Sequence, residues 1–173
     1  DTIKMDIFAF PNIDVVGTAE NMPFRPGAFK AVISLAVLEH VQDPFLSVQN
    51  IADIIDENGE FYTETAFLQP AHAFPNHYFN MTKEGLTYLC SQFEGLDSGV
   101  KPHQYPSFTI EWILYAWSEK LSGIEKKRFL NTKVHEIISE FKGNPLSNRW
   151  MKNFTDKDVE ELACGVFFHG RKK

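Results

Sequence analysis

Between Ile13 and Val41 apolar runs alternate with chain-breaking punctuation, and the rest of the chain is organised around that stretch. Ile13 to Val16 ends in an apolar pair, and Gly17-Thr18 breaks it. Asn21 to Ala28 holds two prolines and a glycine, a turn signature. Ala31-Val32-Ile33-Ser34-Leu35 is then a short, nearly continuous apolar run, the pattern of a strand covered on both faces in a parallel sheet. Val32 and Ile33 are therefore both expected to be buried. Asp43-Pro44 is a helix start, with Asp as cap and Pro at the first helical position. Phe45, Val48, Ile51, Ala52 and Ile55 follow at helical spacing, with Asn58-Gly59 as the predicted stop. Glu60 to Phe67 alternates and is β-branched, which predicts the next strand. Strand, helix and strand in this order form a right-handed crossover with a parallel pair.

The flanking segments extend the same pattern. Thr2 to Phe8 reads as a strand with Asp6 near its end. Thr82 caps a helix predicted to run to about Phe93, and Leu96 to Val100 is a short strand. Ser107 to Leu121 is an amphipathic helix, and Glu125 to Phe141 is a charged one closed by Gly143 and Pro145. Thr155 caps a last turn or two of helix before a closing strand from Leu162 to Arg171. Ile13–Val16, Ala31–Leu35, Phe61–Ala66 and Cys164–His169 are predicted to share one sheet. No repeat or low-complexity segment interrupts this order.

The 173 residues suffice for one domain with a real core. A net charge of -6, with no basic stripe before Arg171-Lys172-Lys173, argues against a phosphate-dominated nucleic-acid partner. Cys90 and Cys164 lie far apart in apolar surroundings and are expected to be buried thiols. No apolar run reaches the ~18 residues of a membrane span, and no secretory pattern opens the sequence. A cytoplasmic protein without a membrane partner is the expectation.

Polar residues at the carboxyl end of a parallel strand sit where open α/β sheets bind ligands. Here they are Ser34, Glu39 and His40. A second group lies on Phe67 to Leu86, where Pro70 and Pro75 forbid regular structure and His72 and His77 accompany aromatic residues. His72 suits a general base or substrate anchor, because imidazole titrates near neutrality. It equally suits a histidine that bonds backbone and holds the loop in shape. His72, His77 and Glu39 match no helical or loop ligand spacing, so no metal is expected. Asp6 is placed to accept from a ribose or to be a solvated loop acid, and spacing alone leaves both open.

These residues also carry a resemblance. Gly17-Thr-Ala-Glu-Asn-Met-Pro-Phe24, followed by an apolar strand and Leu38-Glu-His-Val41, resembles the middle of a class I S-adenosylmethionine-dependent methyltransferase of the methyltransferase type 11 group. Thr18 stands where that family usually has the Asp that meets the adenine. The loop resembles a subgroup pattern at Pro70, His72, Pro75, Tyr78, Phe79, Thr82, Glu84, Gly85 and Leu86, with His77 and Asn80 replacing an Asp and an Arg. That subgroup is associated with sugar or cell-surface biosynthesis. The stretch Leu162 to Arg171 is similar to the family's ending.

The resemblance implies an α/β fold. Its Rossmann-like class I methyltransferase sheet would be mostly parallel with an antiparallel final strand. Residues 1–173 would form a single, N-terminally truncated domain with a helical insertion at about 106–154. The family's glycine-rich turn is absent, and no G-x-G replaces it. The chain is thus expected to be a fragment of a longer protein or a natural remnant. S-adenosylmethionine is the implied cofactor, held by Asp6 at the ribose and by Thr18, Ala19, Glu20, Ser34, Leu35 and His40. The implied activity is methyl transfer to a small-molecule or sugar-type acceptor, by in-line displacement, with His72, His77 and Tyr78 on the acceptor side. A non-catalytic remnant of the fold with little cofactor affinity is the alternative. The strands of Met5 and Ile33 would flank the missing first strand. Direct pairing of the two, filling by a second copy in a homodimer, or disorder of residues 1–12 is expected to follow.

Overall fold

The computed structural model describes residues 1–72, 76–120, 123–131, 133, 135, 136, 138, 139, 155, 156, 159 and 163–172. In chain order its elements are β1 (Met5–Asp6), β2 (Val15–Val16), β3 (Phe29–Leu35), α1 (Pro44–Ile54), β4 (Ile55–Ala66), α2 (Lys83–Leu89), β5 (Phe93–Gly99), α3 (Pro106–Lys120), α4 (Gly123–Leu130) and β6 (Gly165–Lys172).

The crossover predicted from the apolar pattern is present. Asp43 caps α1, its Oδ1 accepting the Leu46 N–H at 2.9 Å, with Pro44 opening the helix. Val48 and Ile51 are buried on the face turned to the sheet. β3 and β4 pair in parallel, with Val32 opposite Phe61 and Ser34 opposite Thr63. β4 pairs antiparallel with β6, which pairs antiparallel with β5, so the sheet order is β3-β4-β6-β5. Three strands therefore run one way and the final one runs against them.

Helix α1 stops at Ile54, earlier than the Asn58-Gly59 signal suggested, because Ile55 already pairs with Phe29. The Asp56-Glu57-Asn58-Gly59 segment is instead a kink near the start of β4, with Asn58 left-handed at φ 64. Gly59 is required there: a Cβ would lie 2.6 Å from Ile55 Cγ2 and 2.9 Å from the Lys30 carbonyl. Thr82 caps α2 through Gly85, but the helix ends at Leu89 and β5 begins at Phe93 rather than Leu96.

Two expectations from the apolar run are corrected. Val15–Val16 pairs only with Met5–Asp6, in a separate parallel two-stranded sheet, so the four predicted strands do not share one sheet. Nor does the strand of Met5 pair with β3, and residues 1–12 are described throughout. Ile33 is 69% exposed and Val32 only partly buried. β3 is an edge strand, and the helices that pack on the sheet cover the face carrying Val32, not the one carrying Ile33. The predicted helices at 125–141 and after Thr155 are seen only in part: α4 ends at Leu130, and residues 140–154 lie outside the described residues.

The core lies on one face of the sheet. Phe61, Val166 and Phe168 meet Val48 and Ile51 of α1 and Leu86, Leu89 and Cys90 from α2 and its end. Cys90 and Cys164 are free and buried, as expected, and burial pushes their thiols up to about 12 and about 11. On the opposite face Tyr62 stacks on Phe167 at 5.9 Å, and the Lys101 ammonium lies 3.7 Å from the Phe167 ring centre. No helix among the described residues is long and apolar enough to cross a membrane.

Candidate active site

Glu39 anchors the candidate site. It follows β3 in a short loop and is only 1% exposed. Its Oε2 accepts the Thr65 hydroxyl at 3.0 Å, which ties the loop to the carboxyl end of β4. Its backbone carbonyl accepts the N–H groups of Tyr78 and Phe79 at 2.7 and 3.2 Å. One residue thus holds the loop after β3 against the loop after β4, where the topology brings strand ends together.

Three imidazoles gather beside it. His40 lies edge to face with His72 and His77, with ring centres 5.4 and 5.5 Å away, and those two are 4.5 Å apart. The hydrogen bonds assign the nitrogens. Nδ1 of His40 donates to the Asn76 carbonyl at 2.6 Å, and Nδ1 of His72 donates to the Pro70 carbonyl at 2.9 Å, because a carbonyl can only accept. The Nε2 of each makes no hydrogen bond among the described residues. His77 has both nitrogens engaged. Its Nε2 faces Asn80 Oδ1 at 2.8 Å, and its Nδ1 faces the His72 backbone N–H at 3.2 Å. Asn80 is in turn oriented by its Nδ2 bond to the Gln69 carbonyl. His77 is therefore a brace for His72, not a ring with a nitrogen to spare.

The remaining predicted residues divide. Tyr78 joins the cluster, its hydroxyl accepting from Gln42 Nε2 at 3.0 Å. Glu20 reaches the same neighbourhood, its Oε1 accepting the Gln42 and Asp43 N–H groups at 2.9 and 3.0 Å. Ala19 is buried in the core, and its carbonyl accepts from Asn50 of α1. Asp6 belongs to the small β1–β2 sheet, its carbonyl accepting from Gly17 and its Oδ1 from Phe8, while Thr18 follows that sheet and bridges to Asn21. No hydrogen bond or ring contact joins them to the histidines among the described residues. Ser34 and Leu35 are neighbours on one strand, so their side chains face opposite sides and cannot line one crevice together. Ser34 is buried on the helix-covered face, where its hydroxyl has no partner among the described residues, and Leu35 is exposed on the other.

Sequence reasoning missed two contributors. Thr65 carries no chemical signature and matters only through Glu39. Trp112 of α3 packs on His72 at 4.9 Å between ring centres. It also lines a cavity of about 260 Å³ with Phe108, Glu111 and Tyr115. An aromatic-lined recess thus adjoins the histidine cluster.

Parallel strands joined by a crossover helix, with polar loops gathered at their carboxyl ends, define a Rossmann-like α/β domain. Residues 5–63 match the family described as Methyltransferase domain, and the chain is built on the class I methyltransferase fold. The structure of the cyclase SpnF covers 93% of this chain and 56% of its own, at 14% identity and a TM-score of 0.52. A Galdieria sulphuraria structure, assigned as a sarcosine dimethylglycine methyltransferase, gives 94%, 60%, 12% and 0.53 for the same quantities. Phosphoethanolamine N-methyltransferase 2 of Haemonchus contortus, solved with phosphomonomethylethanolamine and S-adenosylhomocysteine, gives 93%, 37%, 13% and 0.50. At such identities the likeness is one of fold, and this chain spans 37–60% of those chains. No curated protein matches the sequence.

Proposed function

We propose that this chain serves S-adenosylmethionine-dependent methyl transfer to a small-molecule acceptor. The observation that carries the reading is the methyltransferase match over residues 5–63, whose Glu39-His40 segment lies just downstream of β3, beside the loop that bears His72, His77 and Tyr78. The cofactor supplies a methyl group on a sulfonium, ready for in-line displacement, and the protein's part is chiefly alignment, which is worth about 7–11 kcal/mol when complete.

The chain's own residues divide that work. Asp6, Thr18, Ala19, Glu20, Ser34, Leu35 and His40 form the proposed cofactor side, with Ser34 and Leu35 contributing through backbone, since their side chains diverge. On the acceptor side, His72 presents Nε2 as base or anchor, and His77 keeps that ring in place. The Tyr78 hydroxyl accepts from Gln42, which leaves its oxygen oriented beside the loop and its own proton free to bond a polar group of the acceptor away from the reacting atom. The recess along Trp112 suits a small acceptor. Two of the similar structures carry names of small amine substrates, sarcosine and dimethylglycine in one and phosphoethanolamine in the other, so a small amine or hydroxyl compound is the proposed class.

A non-catalytic role on the same fold is the second reading. Thr18, which stands where the resembling family has the Asp that meets the adenine, favours it. Titration calorimetry with S-adenosylhomocysteine separates the two. Saturable binding weaker than micromolar is expected, and Thr18→Asp should tighten it on the order of tenfold by adding a charge-assisted hydrogen bond. No saturable heat with either protein would overturn the methyltransferase reading.

A further inference from the structure

Glu39, His40 and His72 each offer a ligand atom within 4.8 Å of the other two. Ligand bonds of about 2.0–2.2 Å set donor atoms roughly 3–4 Å apart, so a modest closing of side chains would complete a site. We propose that these three residues bind a first-row divalent cation such as Zn²⁺ through a carboxylate oxygen and two Nε2 atoms.

Three independent features point there. First, the carboxyl group of Glu39 is almost wholly buried, and its only side-chain partner among the described residues is the Thr65 hydroxyl. Buried carboxylates are normally paired with a cation or coordinate one, and no Lys or Arg pairs with this one among those residues. Secondly, His40 and His72 both donate Nδ1–H to backbone carbonyls, which fixes their tautomers and leaves both Nε2 lone pairs free. Metal-binding histidines are oriented in this way. Thirdly, His77 and Trp112 pack against His72 and restrict its rotation, so the ring is held before any ligand arrives. Two imidazoles and a carboxylate form a borderline donor set suited to Zn²⁺, Co²⁺ or Mn²⁺ rather than Mg²⁺. The linear spacing hid this set because it runs through His40, adjacent in sequence to Glu39, and leaves His77 as the brace.

Three protein ligands leave positions open for an acceptor's oxygen or nitrogen. In that use His72 is the anchor, not the base. Only this use of the metal rests on the methyltransferase reading.

The test is titration of the chelator-treated protein with Co²⁺, without cofactor, read by the visible d–d absorption. One equivalent should bind, with bands of mixed nitrogen and oxygen ligation, and Zn²⁺ should displace it while equimolar Mg²⁺ should not. His72→Asn, at a half-exposed loop position, should weaken Co²⁺ binding about 100-fold or more, and His77→Asn about tenfold. His169→Gln, whose ring bonds Glu60 on another strand pair, should leave it unchanged. A folded protein that binds no Co²⁺ at one equivalent would overturn the proposal, as would His72→Asn that is folded by circular dichroism and binds Co²⁺ as wild type does. Co²⁺ binding without S-adenosylhomocysteine binding would sink the methyltransferase reading alone, and the converse would sink the metal alone.

Discussion

On one face of the β3–β4 pair, Val32, Ser34, Phe61, Thr63 and Thr65 lie beneath α1 and α2. On the other, Ile33 and Leu35 meet solvent while Tyr62 is only partly shielded by Phe167. Along β3 the exposed face is the more apolar, carrying Ala31, Ile33 and Leu35 against Val32 and Ser34 on the covered one. Burial is set by what a face packs against, so a run such as Ala31–Leu35 specifies a strand but not the number of covers it receives. The covered face also carries the polar cost of the arrangement. Ser34 and Thr63, directly opposite each other, both bury hydroxyls without partners among the described residues.

Substitutions can break or sharpen that contrast. The largest effect is expected at Phe61, fully buried against Phe93 at 5.1 Å. Phe61→Ala should lose about 3–5 kcal/mol and lower the melting temperature on the order of 10 °C. A loss below about 1 kcal/mol would mean that the covered face is not the core. At Thr63, Thr63→Val keeps the shape and removes an unpaired buried hydroxyl, so urea denaturation should show a gain of about 1 kcal/mol. A loss would reveal a partner for Oγ1. The smallest change is expected at Ile33, where Ile33→Ala should shift stability by no more than about 0.5 kcal/mol. A core-sized loss there would show that the outer face is covered after all.

Much of this architecture was legible because it is local. The Asp43-Pro44 cap, the Thr82 cap and the alternation of Glu60 to Phe67 each declare an element within a few residues. The end of α1 was misread because Asn58-Gly59 signals a left-handed residue equally well in a helix cap and in a strand kink. Pairing of Ile55 with Phe29, 26 positions away, decided between them. The separate β1–β2 sheet has the same origin, since strand partners are a non-local choice. In the site, His40, His72, His77 and Tyr78 were each found as residue types in suggestive places. What each nitrogen does was invisible, because it depends on Asn76, Pro70 and Asn80 and on backbone directions that sequence does not encode. Thr65 was missed for the same reason: its partner Glu39 lies 26 residues away.

The position of β6 has a consequence for biosynthesis. It is the last strand in the chain, yet it lies between β4 and β5. Neither of those strands can complete its ladder on that side until Gly165–Lys172 has been made, some 66 positions after β5 ends at Gly99. At about 5–20 residues per second that is an interval of roughly 3–13 s. Throughout it β4 and β5 each lack the neighbour that will lie between them, beside Phe61 and Phe93, and the eight residues of β6 close that gap.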